Sequence, residues 1–271
     1  MKDMARIFRQ LDAAMCETSR FALIEISERL RQVQREALAS SGLDFRWFGE
    51  IDQLPEGPLF IVGNELFDAV PVRQFVKTDA GWRERCVGID GDGGLCFVAS
   101  VTGVDPALLP PAAATAPIGA IVEIAPAREA LMETVCARIA AAGGAALFID
   151  YGHLQPGLGD TLQAQRNHVY DDVLAHPGEA DITSHVDFAA LALVASSHNL
   201  ETDLCTQGQF LLSLGLLERA GQLGAALDEA GREQIHDAVE RLAGREQMGE
   251  LFKVLAVTAP GRASSGNSGA D

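Results

Sequence analysis

"LFIVGNELFDAVPVRQF", residues 59–75, runs from four apolar residues into Asn64, Glu65 and Asp68 and then meets Pro71. A short apolar run bounded by turn residues reads as a buried strand. Polar groups placed directly after such a strand point to a ligand site, because open parallel sheets bind ligands in the crevice beyond the carboxyl ends of their strands. Pro71 disfavours a helical Val70, so a turn or so of helix at most fits between Asn64 and Ala69. In that turn Glu65 and Asp68 stand at i, i+3 and are expected to face one ligand, and two carboxylates suit a guanidinium. Asn64 and Asp68 are also residue types that satisfy the backbone of a turn.

The same pattern, an apolar run followed by polar groups, recurs on both sides. "RFALIEIS" (20–27) reads as a strand, with Ser27 capping a helix over "ERLRQVQREAL" (28–38). "LDFRWFGEI" (43–51) and "AALFIDYG" (145–152) are further strands, the last preceded by a helix over "PAREALMETVCARIAAAGG" (126–144). Strands alternating with helices predict an α/β fold with a parallel, doubly wound sheet. Polar strand-end residues then fall at Glu25, Asp52, the Asn64 group and Asp150 with Tyr151. An acid at the end of the second strand of such folds can accept both ribose hydroxyls of a nucleoside cofactor, and Glu25 stands in that place.

Other segments follow different patterns. "VRQFVKT", "GWRERCVGI" and "GLCFVAS" are expected to be antiparallel, with "DGDGG" (90–94) as a hairpin turn. "MKDMARIFRQLDAAM" (1–15) has helical spacing from the first residue. From Gly152 onward, loops and helices precede a last strand candidate, "LFKVLAVT" (251–258), and the Gly/Ser-rich residues 259–271 predict a disordered tail. This divides the chain into a core at 1–153, a mainly helical insertion at 154–247, a final core strand at 248–258 and the tail.

With 21 Lys and Arg against 38 Asp and Glu, the net charge of −17 repels a phosphate backbone and argues against nucleic-acid binding. Five cysteines without a C-x-x-C pair suggest neither a disulfide framework nor a zinc site. His168, His176 and His185 do not have metal-ligand spacing, and no metal is expected. No G-x-S-x-G elbow is present, and no run approaches the length needed to cross a bilayer. A cytoplasmic protein without membrane insertion is expected.

Taken together, "GNELFDAVPVRQF" (63–75), "LFIDYG" (147–152), "GDTLQAQRNHVYDDVLAHPGEADITSHVDF" (159–188), "TQGQFLLSLG" (206–215) and "MGELFKVLAV" (248–257) carry a resemblance. The chain resembles the class I S-adenosylmethionine-dependent methyltransferases that include the mitochondrial complex I assembly arginine methyltransferase and its bacterial relatives, over residues 1–257. The resemblance implies a Rossmann-like sheet with a helical insertion, S-adenosyl-L-methionine as methyl donor and a protein arginine as acceptor, a respiratory-complex subunit being one candidate. It implies a mitochondrial matrix location only for a eukaryotic source. By it, Glu25 holds the donor's ribose, Ile51 and Asp52 border its adenine, Asn64 and Glu65 lie near the methyl and its acceptor, and Asp68 supports their loop. Glu65 and Asp68 are the expected catalytic pair. The family's G-P-G-R-G-like turn and first strand, ahead of the opening helix, have no counterpart in this sequence. An N-terminally truncated chain is therefore expected, and a catalytically impaired fragment or an assembly module that keeps the fold is the alternative to an active enzyme.

Overall fold

The computed structural model describes residues 1–261, and the expected tail at 259–271 lies mostly outside the described residues. The chain divides into two compact units, one of residues 1–57 and one beginning at Pro58.

The first unit holds α1 (Lys2–Leu11), α2 (Ala13–Thr18), β1 (Phe21–Ile24), α3 (Glu28–Leu38) and β2 (Phe45–Phe48). The helical run expected over residues 1–15 is broken at Asp12. This residue is extended, with φ −154°, and its carboxylate accepts from the backbone N–H of Met15 at 2.9 Å, so it starts a second helix instead of continuing the first. Ser27 caps α3 as its sequence position predicts, accepting from Leu30 N–H at 3.3 Å. β1 and β2 pair in parallel, Phe21 opposite Phe45 through Ile24 opposite Phe48. A small core of Ala5, Leu38 and Phe45 lies against Phe21 and Trp47.

In the second unit β3 (Leu59–Asn64) leads to an antiparallel sheet of β4 (Arg73–Thr78), β5 (Gly81–Ile89), β6 (Leu95–Gly103) and β7 (Ile121–Ile124), in the order β6-β5-β4-β7. The expected hairpin joins β5 to β6, and Phe75, Trp82, Ala113 and Val122 form the core of this sheet. α4 (Pro126–Ala142) then feeds β8 (Gly144–His153), the longest strand of the site-bearing sheet. β3 pairs with β8 in parallel, from Leu59 opposite Gly144 to Asn64 opposite Ile149. Arg128, Met132, Val135, Cys136 and Ile139 are the buried positions of α4, and their 3- and 4-residue spacing is the one by which a helix covers a sheet.

Residues 154–247 contain more strand than their helical patterns suggest. β9 (Gln163–Arg166), β10 (Val169–Asp171) and β11 (Asp181–Thr183) form a small antiparallel sheet. β12 (Val186–Asp187) joins β8 in parallel at Gly152 and His153. After α5 (Phe188–Ser197), β13 (Glu201–Thr206) runs antiparallel to the final strand. The helices α6 (Gln207–Ser213), α7 (Leu216–Gly224), α8 (Glu229–Ala243) and α9 (Met248–Leu251) follow, and β14 (Phe252–Thr258) pairs antiparallel with β8. α6 and α7 are divided at Gly215, whose φ of +83° is a left-handed conformation that glycine adopts freely. The sheet is thus mixed, with β3, β8 and β12 parallel and β13 and β14 supplying an antiparallel edge. Among the described residues no helix is long and apolar enough to cross a membrane.

Candidate functional site

In the first unit, Glu25 directly follows β1. It is half-buried, its Oε1 accepting from Ser27 N–H at 2.8 Å and its Oε2 from Gln34 Nε2 at 3.2 Å. A carboxylate has about four acceptor positions, so Glu25 is held by two partners and can still accept from a vicinal diol. Ile51 and Asp52 open a 3-10 turn after β2, with Ile51 buried and Asp52 exposed.

In the second unit, the carboxyl end of β3 gathers the other candidates. The last ladder bond runs from Glu65 N–H to the Ile149 carbonyl at 2.9 Å. Beyond it the chain leaves the sheet sharply, with Glu65 at φ 50°, a left-handed conformation that a side chain with a Cβ disfavours. Asn64 and Glu65 are both exposed, and Asn64 Nδ2 donates to Glu65 Oε1 at 3.1 Å. The expected helical turn is absent. A tight turn over residues 67–70 takes its place, closed by Val70 N–H to the Phe67 carbonyl at 3.0 Å.

That change separates the two acids expected to act together. Glu65 faces outward, whereas Asp68 is buried and accepts from the Tyr151 hydroxyl at 2.5 Å and from Ala69 N–H at 2.8 Å. The cause lies at Phe67, which is fully buried and packs edge-on against Phe148 with ring centroids 5.0 Å apart. Anchoring that ring turns the next residue inward.

Two further residues hold this turn: Asp150, which the sequence marked as a polar strand end without giving it a role, and Arg128, which the sequence did not mark. Asp150, 1% exposed, accepts from Phe67 N–H at 3.0 Å and Asp68 N–H at 3.2 Å through Oδ2, and from Tyr151 N–H at 2.9 Å through Oδ1. Arg128, 2% exposed, reaches the same turn from α4. Its Nε donates to the Val70 carbonyl at 3.1 Å, Nη2 to the Asp68 carbonyl at 3.0 Å and Ser184 Oγ at 2.6 Å, and Nη1 to the His185 carbonyl at 2.7 Å. A buried guanidinium bonded to neutral acceptors is expensive, and burial lowers its pKa, with Asp150 foremost among the carboxylates opposing the shift. The segment it reaches is tied down in turn. His185 N–H donates to Thr161 Oγ1 at 2.9 Å, and that hydroxyl donates to Glu123 on β7 at 2.6 Å.

Burial, helped by nearby Asp68, pushes the Asp150 pKa from 3.8 up to about 7, although three backbone N–H groups favour the ionised form. Tyr151 is raised as well, first by burial and then by its bond to Asp68, so it remains the donor in that pair. A carboxyl whose pKa is raised on folding makes the folded state bind more protons than the unfolded one between the two values. Its contribution to stability is complete below about pH 4 and is lost as pH rises through about 7. The difference in unfolding free energy, wild type minus Asp150→Asn, is therefore expected to shrink between pH 4 and pH 8 in urea titrations. A difference that grows with pH would show that the fold favours the ionised carboxylate.

A mixed α/β sheet whose polar groups collect where its parallel strands end is the architecture of a ligand-binding α/β protein. Residues 1–206 match the family model described as "Putative S-adenosyl-L-methionine-dependent methyltransferase", and the chain belongs to that family. It is 32% identical over 282 residues to the zebrafish (Danio rerio) mitochondrial protein arginine methyltransferase NDUFAF7, covering 94% of this chain and 65% of that protein. To the human protein of the same name it is 30% identical over 286 residues, covering 94% and 62%. The chain thus spans slightly less than two thirds of either relative. Two crystal structures from Burkholderia thailandensis share the fold, one with a TM-score of 0.78 and 33% identity over 94% of this chain and 70% of that one. The other, bound to S-adenosyl-homocysteine, has a TM-score of 0.76 and 31% identity over 94% and 68%. The class I methyltransferase fold implied by the sequence motifs is the fold of this chain.

Proposed function

We propose that the chain works in methyl transfer from S-adenosyl-L-methionine to an arginine side chain of a protein. The observation that carries this reading is the exposed Asn64–Glu65 pair, held in a disfavoured backbone conformation where β3 ends. Family membership, the S-adenosyl-homocysteine bound to one structural relative and the name of the zebrafish and human relatives support it. The bound donor would supply an electrophilic methyl group, and the protein's task is to place the acceptor nitrogen about 3–3.5 Å from it with its lone pair aligned. In this reading Glu65 holds the guanidinium, Asn64 orients Glu65, and Asp68 keeps the turn in place through Tyr151 without touching substrate. Glu25 accepts the hydroxyls of the donor's ribose, while Ile51 offers an apolar edge and Asp52 a polar one to the adenine.

The test is calorimetry with S-adenosyl-L-methionine, followed by mass spectrometry of arginine-containing acceptor proteins for the gain of a methyl group. Glu25→Ala is expected to weaken donor binding by about 1–3 kcal/mol, the value of a hydrogen bond to a charged group. Unchanged affinity would remove Glu25 from the donor site. An absence of binding heat from the wild-type chain would end the enzymatic reading for these 271 residues.

A further inference from the structure

Within the methyl-transfer reading, on which its catalytic part rests, we propose that Asp150 is the positioning residue that keeps Glu65 aimed at the acceptor. β3 and β8 run in parallel register up to Asn64 and Ile149, and the ladder ends with Glu65 N–H on the Ile149 carbonyl. The next residue of β8 is Asp150. Its side chain, not its backbone, takes the following two donors of the departing chain, Phe67 and Asp68 N–H. Glu65 and Leu66 are thus suspended between two adjacent anchors of one strand. A left-handed glutamate persists only where its surroundings over-determine it, and these anchors supply that constraint from the sheet side. Arg128 supplies it from the helix side by holding the carbonyls of Asp68 and Val70.

Asp150 is too deeply buried to meet a substrate, so any effect it has on transfer must pass through the turn. An asparagine there keeps one oxygen for the Phe67 and Asp68 N–H groups but presents an amide to Tyr151 N–H, or the reverse after a flip. Either way one side of the clamp is lost. The groups facing Asp150 are Asp68, Tyr151 and Arg128, with Glu123 further along the network.

The clamp is tested by hydrogen exchange on the full chain, comparing wild type with Asp150→Asn. Exchange is expected to quicken by roughly tenfold or more on the side that receives the amide, at Phe67 and Asp68 or at Tyr151, while the Leu147 and Phe148 amides inside β8 keep their rates. Asp150→Ala removes both oxygens and is expected to quicken exchange at Phe67 and Asp68 whichever way the amide of Asp150→Asn lies, and unaltered protection of those two amides in Asp150→Ala would overturn the proposal. Its catalytic part is read from a double-mutant cycle of Asp150→Asn and Glu65→Gln, using S-adenosyl-L-methionine and an oligo-arginine peptide. If Asp150 acts through Glu65, kcat of the double variant falls no further than that of Glu65→Gln alone, with donor affinity unchanged. Losses that simply add would overturn it. A wild-type chain that methylates no peptide would count against the methyl-transfer reading, and the exchange rates would still decide the clamp.

Discussion

Replacing Arg128 with methionine is expected to cost about 3–5 kcal/mol of unfolding free energy, a large share of the margin on which a domain depends. Methionine fills most of the volume but donates nothing. The carbonyls of Val70 and His185 and the hydroxyl of Ser184 would lose the guanidinium, and Asp68 O would keep only Ser184 N–H at 3.2 Å. Each buried acceptor left short costs roughly 1–3 kcal/mol, and relief from burying the guanidinium charge returns part of the sum. Arg128→Lys should recover little, since an ammonium is a point charge that cannot span two loops as the planar fork does. Urea denaturation at constant m-value measures the difference. A loss below about 1 kcal/mol would show that the two loops hold each other without the arginine.

Why the sequence revealed the sheet and hid the clamp can be stated residue by residue. β3, β8 and β14 are apolar runs closed by polar residues, and that pattern marked all three as strands; β8 and β14 are buried as such runs predict, whereas β3, expected to be buried, leaves Phe60 and Val62 exposed. β13 is "ETDLCT", where threonine and leucine alternate with charged and polar residues on a half-exposed edge, so its strand character rests on a weak period of two. The short strands β9 to β11 lack apolar runs altogether. At the candidate site the residue types were legible but their orientations were not. Glu65 and Asp68 differ by three positions, and whether they share a face depends on a ring, Phe67, anchored against Phe148, 81 residues downstream in β8. Arg128 did leave one local trace. A cation in the first turn of a helix opposes the macrodipole, which is unfavourable unless something else needs it there.

The glycine that ends "LFIDYG" offers a second large effect, and its cause is contact instead of charge. Gly152 lies opposite Val186 in the parallel bridge between β8 and β12, and a Cβ on it would stand 2.1 Å from the Val186 carbonyl oxygen and 2.8 Å from its nitrogen. No rotamer relieves that clash, because both partners are backbone. Gly152→Ala must therefore push β12 away, and His185 and Ser184, one and two residues before it, go with it. Arg128 then loses acceptors on one side while keeping those on the other, so overpacking and lost hydrogen bonds combine to about 3 kcal/mol. The Asp150 clamp draws on the other edge of the same turn and should survive, since Phe67 and Asp68 approach it from β3. Hydrogen exchange separates the two. His185 N–H, bonded to Thr161, is expected to lose protection in Gly152→Ala while Phe67 and Asp68 N–H retain theirs. An alanine variant with wild-type stability and an unchanged His185 amide would mean that β12 can move aside freely, and that the rim is not built from these two segments together.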